Sequence, residues 1–178
     1  MTARLRPYPV YKSSSLPWLG RIPEDWAIKP LKRCAAINQA TLTETTDPDF
    51  AFQYVDIGAV GEGRMVAKPQ RLSFAAAPSR ARRVVRPGDT MISTVRTYLK
   101  AVCHVASCDE PTVASTGFAV LTPSDMMVPR FLFYSVLSEH FIRRVSANSV
   151  GASYPAIEPS RLGCLPIAVP SDLAEQVQ

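Results

Sequence analysis

Apolar positions along this chain recur at two spacings, and the alternating one dominates. Trp26-Ala-Ile-Lys-Pro-Leu predicts a first strand, and Phe52 to Ile57 alternates well enough for another. Between them Thr41 to Asp49, rich in Thr, Asp and Pro, predicts a surface loop. Gly58-Ala-Val-Gly-Glu-Gly-Arg predicts a turn into a returning strand. Arg82 to Arg96 carries two β-branched runs split by Pro-Gly-Asp, which predicts two short strands around a tight turn with basic flanks. Gly117-Phe-Ala-Val-Leu-Thr-Pro continues the β pattern.

Helical spacing takes over at Pro129, a residue suited to a first helical turn. It runs through Phe131, Leu132, Tyr134, Val136, Leu137, Phe141, Ile142 and Val145, predicting one helix with a core-facing stripe. Ala147 to Ile157 is a small-residue loop full of hydrogen-bonding groups. Leu162 to Val169 predicts a last strand, and Pro170-Ser-Asp-Leu-Ala-Glu-Gln the opening of another helix. Residues 1–25, rich in Pro, Ser and Tyr, lack sustained periodicity; they predict an extended lead-in packing through Trp18, Leu19 and Ile22. The fold class expected is α/β, in the α+β sense: a β-rich twisted sheet with a few packed helices.

A length of 178 residues, 47% apolar and 20% charged, predicts one ordinary globular domain. No stretch approaches a membrane-spanning helix and the N-terminus does not read as a secretion signal, so the expected location is cytoplasmic, away from membranes. The net charge of +5 is modest, but its distribution is uneven. Arg4, Arg6, Lys12, Arg21, Lys29, Lys32 and Arg33 precede residue 34. Cys34 to Gly63 has no Lys or Arg and holds Glu44, Asp47, Asp49, Asp56 and Glu62. A second basic block, Arg80, Arg82, Arg83, Arg86, Arg96 and Lys100, is opposed only by Asp89. Such clustering suits a surface that neutralises phosphates, and equally a set of solvated strand-edge arginines.

Catalytic constellations are missing from the sequence. No Gly-x-Ser-x-Gly elbow surrounds any serine, and nothing places a cysteine against His104 or His140. There is no Walker-type Gly-Lys-Ser or Gly-Lys-Thr, so the glycines at 58–63 read as a turn and not as a phosphate cradle. Cys103, His104 and Cys108 lack the spacing and the second ligand pair of a zinc site; no metal is expected. Cys34, Cys103, Cys108 and Cys164 read as reduced, mostly buried thiols. The chain is expected to have no catalytic activity and no cofactor of its own.

Binding suits the composition better. Arg and Lys bond phosphates or guanine, Asn and Gln pair with adenine, and Ser and Thr serve either. In Ser93-Thr-Val-Arg-Thr-Tyr-Leu-Lys, which includes Thr94, an extended segment would put Arg96, Tyr98 and Lys100 on one face. Asn148, Ser149, Ser153 and Tyr154 offer polar contacts or stacking, while Arg80, Arg82 and Arg83 offer phosphate contacts. For any one of these a structural turn or a sheet-edge charge accounts for the residue as well.

Several blocks together resemble a known family. They are Tyr11-Lys-Ser-Ser-Ser-Leu-Pro-Trp-Leu-Gly-Arg-Ile-Pro-Glu-Asp-Trp, Tyr54-Val-Asp-Ile-Gly, Ala77 to Asp89, Ile92 to Ala101, Ala114-Ser-Thr-Gly-Phe-Ala-Val-Leu, Gly151-Ala-Ser-Tyr-Pro-Ala-Ile-Glu-Pro and Leu173-Ala-Glu-Gln. In that order they are similar to type I restriction-modification specificity subunits. The resemblance implies a target recognition domain at 26–170, after the lead-in, that reads one half of a split site in double-stranded DNA. It implies an adenine methylation subunit as partner, with a translocating restriction subunit also joining; S-adenosylmethionine, ATP and Mg are then expected on those partners alone. Leu173-Ala-Glu-Gln resembles the start of the family's first spacer helix, so 171–178 is expected to be the truncated beginning of it. The rival expectation is a protein-interaction fragment that docks the methylation subunit with little DNA binding of its own.

Overall fold

A computed structural model describes residues 7–177; Met1 to Arg6, with Arg4 and Arg6 of the first basic group and the start of the lead-in, lie outside the described residues, as does Gln178. The strands are β1 (Tyr11–Ser13), β2 (Arg21–Pro23), β3 (Trp26–Pro30), β4 (Ala35–Ile37), β5 (Ala51–Val55), β6 (Gln70–Ser73), β7 (Ala81–Val85), β8 (Thr90–Ser93), β9 (Val102–His104), β10 (Thr112–Ser115), β11 (Phe118–Pro123) and β12 (Pro166–Pro170). The α-helices are α1 (Pro129–Leu137), α2 (Glu139–Ala147) and α3 (Pro159–Cys164).

Two four-stranded sheets form the body. The outer sheet has the order β6-β5-β10-β7, antiparallel except for the parallel β5–β10 pair. The inner sheet, β4-β11-β8-β9, is antiparallel throughout. Side chains alternate across a strand, and the inner sheet uses both faces. Ile92, Ala119 and Leu121 pack with Leu132, Val136, Phe141, Ile142, Val145 and Leu162 of the helices, while Met91, Phe118 and Val120 pack with Val55, Val85 and Ala114 of the outer sheet. A sheet covered on both sides reads as continuous apolar runs, which is why β11, with Phe118 to Leu121, stands out in the sequence. Truncating a side chain there, such as fully buried Leu132 to Ala, costs about 2–5 kcal/mol. The far face of the outer sheet buries Phe52, Tyr54, Ala81 and Val113 under Leu42, Phe50, Leu72 and Phe74.

The two runs around Pro-Gly-Asp form β7 and β8, but they do not pair with each other. The turn carries the chain from the outer sheet to the inner one. Gly88 takes φ +93°, a left-handed conformation that glycine adopts freely, and its N–H donates to Val105 O at 2.7 Å. Buried Asp89 closes the turn, accepting from Arg86 N at 2.8 Å and from the Thr122 hydroxyl at 2.8 Å.

Three element expectations differ from the structure. The single helix from Pro129 is two, broken at Ser138, whose ψ of 142° leaves the helical region while its hydroxyl accepts from Phe141 N and starts α2. Leu162 to Cys164 belong to α3 and not to the last strand, because Pro159 sits in the helix's first turn. After Pro170 the chain makes only a 3-10 turn, Glu175–Val177. Ahead of β3, β1 and β2 form a small antiparallel hairpin; Ile22 is buried, and Trp18 lies under the Arg144 guanidinium at 5.3 Å.

Candidate functional site

Two loops at one end of the inner sheet are fastened together. Thr94 donates its N–H and its hydroxyl to Gly117 O at 2.8 and 2.9 Å and accepts from Ile157 N at 2.8 Å. Arg96 N donates to Pro155 O at 2.8 Å, and Val95 bridges Ala156. Val150 and Ala156 exchange backbone bonds of 2.8 and 2.9 Å, closing a tip at Gly151 to Pro155. Gly151 has φ +115°, and a Cβ on it would come within 3.0 Å of Tyr154 O, so the tip requires glycine. The two segments singled out in the sequence, 93–100 and 148–154, are thus neighbours.

The first of them is not extended. Thr97–Leu99 is a 3-10 turn, flanked by Arg96 at φ 47° and Lys100 at φ 54°, both left-handed. Tight i→i+3 winding sends successive side chains in different directions, so Arg96, Tyr98 and Lys100 do not share a strand face. Two non-glycine residues in that region within one turn mark stored backbone strain, of order 1–3 kcal/mol each, held by the surrounding bonds.

Several side chains of the pair of loops are committed inward. Thr94 and Thr97 are buried; Thr97 Oγ1 lies 3.0 Å from Ser149 Oγ, which also donates to Val145 O at 2.8 Å. Asn148 donates to Arg144 O at 2.8 Å and accepts from Arg161 at 3.1 Å, ending α2. Lys100 Nζ reaches Glu139 Oε2 at 2.7 Å and Glu62 Oε1 at 3.5 Å. The Glu139 hydrogen bond raises the lysine above its ordinary value, and Lys100, then Arg143, hold the Glu139 carboxyl below the usual range. Arg96, Tyr98, Ser153 and Tyr154 are exposed, with the Arg96 Cζ 4.5 Å from the Tyr154 ring centroid. Leu99 and Val150, which the sequence reading missed, are exposed beside them; no periodicity marks an apolar residue on a loop tip.

The arginine trio lies elsewhere, on and just before β7, and two of the three are ion-paired. Arg80 pairs with Asp56 at 3.2 Å and donates to the Tyr54 hydroxyl at 3.1 Å. Burial pushes the Asp56 carboxyl up, but Arg80, the Ile57 N–H and Tyr54 outweigh it and hold it below the ordinary range. Arg82, its side chain only 15% exposed, pairs with Glu44 at 3.0 Å and lies over Phe74 at 4.8 Å. Arg83 donates to the Thr41 hydroxyl at 3.3 Å. The basic and acidic blocks segregated along the sequence therefore fold onto each other: Glu44, Asp56 and Glu62 take Arg82, Arg80 and Lys100. Among the described residues, Arg96 has no ion pair.

The described residues contain no group of three or more His, Cys, Asp or Glu able to hold a metal. All four cysteines are free; Cys34 and Cys103 are buried, which raises both thiols, whereas Cys108 is half-buried and Cys164 exposed, so the expectation of burial holds for only part of the set. No helix among the described residues is long and apolar enough to cross a membrane.

The body is layered and β-rich and presents two mutually bonded, partly exposed polar loops. No protein-family model and no curated protein matches the chain. Solved structures do. A chain of a type I R-M system, solved for its complex assembly and conformational transition, is 30% identical over 88% of this chain, with TM-score 0.79. The HsdS subunit from Thermoanaerobacter tengcongensis is 32% identical over 88%, with TM-score 0.75. The type I restriction-modification S subunit from M. genitalium, 15% identical with TM-score 0.55 over 85%, shares the fold. The chain is thus related in fold and sequence to the S subunits of type I restriction-modification systems, and it spans 40% of the length of each of the first two.

Proposed function

We propose that the chain is a target recognition domain, residues 26–170, which reads one half-site in double-stranded DNA and directs partner methylation and restriction subunits to it. The observation that carries this reading is the fused loop pair, strained and tightly bonded, on a scaffold similar to S subunits. Arg96, Tyr98, Ser153 and Tyr154 are its accessible members, Lys100 its ion-paired edge, and Thr94, Asn148 and Ser149 its frame. Arg80, the more exposed of the trio's two ion-paired arginines, is the first phosphate contact outside the loops, with Arg82 and Arg83 supporting it. The domain supplies no catalysis; S-adenosylmethionine, ATP and Mg belong to the partners, and the location is cytoplasmic. The rival docking-fragment reading lacks a comparable observation.

The full chain, incubated with a randomised duplex library and sequenced after selection, is expected to enrich one short motif. Its affinity should fall as salt rises, since phosphate contacts release counterions. Binding to an isolated methylation subunit with no salt-dependent binding to any duplex would overturn the proposal in favour of the docking fragment.

A further inference from the structure

Of the six cations in its block, Arg83, Arg86 and Arg96 have no ion pair among the described residues, and of these three Arg96 alone lies over an aromatic ring. Arg80, Arg82 and Lys100 are each neutralised by an acid from the preceding stretch, whereas Arg96 is exposed, free of ion pairs among the described residues, and laid over the Tyr154 ring. Its backbone is pinned on both sides, by Arg96 N to Pro155 O at 2.8 Å and by the 3-10 turn in which Leu99 N donates to Arg96 O at 2.9 Å. Tyr154 is pinned in turn by the Gly151 tip.

A phosphate contact requires charge and little else, and a mobile lysine serves it. A guanidinium held against an aromatic face has lost much of its rotamer freedom already, and its planar donor fork stays open at the rim of the ring. That fork matches the O6 and N7 acceptors that guanine alone presents together in the major groove. We infer that Arg96, positioned by Tyr154, is the residue that specifies one guanine in the half-site. The inference rests on the DNA reading proposed above and narrows it to one base and one side chain.

The test is library selection with the full chain and with Arg96→Lys, Tyr154→Phe and Tyr154→Ala, each checked for folding by its thermal melt. Lysine keeps the charge and loses the fork; phenylalanine keeps the ring. The wild type and Tyr154→Phe are expected to select the same guanine. Arg96→Lys should lose preference at that position by about tenfold or more, with the other positions unchanged. Tyr154→Ala should weaken preference at the same position. Should Arg96→Lys keep the guanine preference, the arginine fork is not what reads that base, and should it lose affinity evenly on all sequences, Arg96 is a phosphate contact; in either case the inference falls while DNA reading stands. Should the wild type enrich no sequence at all, the DNA reading falls and takes the inference with it.

Discussion

Thr97 Oγ1 and Ser149 Oγ meet at 3.0 Å across 52 residues of chain, joining the 3-10 turn to the loop that follows α2. The contact is sheltered, for Thr97 is 3% exposed. Its neighbours, the Arg96–Pro155 and Thr94–Ile157 backbone bonds, make the two loops one unit.

Thr97→Val keeps the shape and removes the hydroxyl. The expected loss of stability is about 0.5–1.5 kcal/mol, read by urea denaturation. Amide exchange at Val150, Ala156 and Arg96 should quicken more than at the β8 and β11 amides. Uniform quickening through both sets would show that the two loops are not a local unit.

Lys100→Met should raise the Glu139 carboxyl toward its ordinary value, since the lysine is the first cause of its depression. A carboxylate held low in the folded state adds stability above its unfolded pKa and loses it as pH falls through the folded one. The check is an NMR titration of Glu139 in both proteins, and an unmoved Glu139 would contradict the ion pair.

Asp89 behaves in the opposite sense. Burial raises its carboxyl, against the bonds from Thr122 and Arg86 N, so the folded state binds its proton more readily than the unfolded chain. Its contribution therefore rises as pH falls through the folded value toward the ordinary carboxylate range. Asp89→Asn, which has no such proton, should lose stability more steeply than wild type across that window in urea melts. Asp89→Ala, which strands the Arg86 N–H and the Thr122 hydroxyl, should cost about 1–3 kcal/mol at neutral pH.

Buried Gln176 accepts from Val128 N at 2.8 Å and donates to Met126 O at 3.2 Å, supplying α1 with the cap its own Val128 lacks. Gln176→Ala should destabilise the protein by about 1–3 kcal/mol in thermal or urea denaturation. Glu175→Gln, which leaves the Trp26 indole N–H an oxygen acceptor, should cost less.

What the sequence shows and hides follows from how local each cause is. β8 and β11 are legible because both faces are buried and consecutive apolar residues, Met91-Ile92 and Phe118 to Leu121, record that directly. The break at Ser138 is not, since Phe133, Leu137, Phe141 and Val145 recur every four residues straight through it. Only Ser138 ahead of Glu139 hints at a second helix start. The site residues are legible as types, and those at 94–100 and 148–154 fall in the two segments the structure joins, whereas the arginine trio does not. Their availability is not legible. That Thr94 turns inward, that Lys100 is held by two carboxylates, and that Arg80 and Arg82 are ion-paired all depend on partners tens of residues away. The left-handed backbone at Arg96 is likewise held by a tertiary bond, from Arg96 N to Pro155 O.

β10 lies between β5 and β7, yet a ribosome makes it after both. Until Thr112 to Ser115 emerges, the β5–β6 hairpin and β7 each present an unpaired edge. The parallel match of Gln53 to Thr112 must then close a long loop before it is rewarded. Nascent chains stalled before residue 112 should therefore be protease-sensitive and prone to edge-to-edge association, with protection arriving abruptly once β10 inserts.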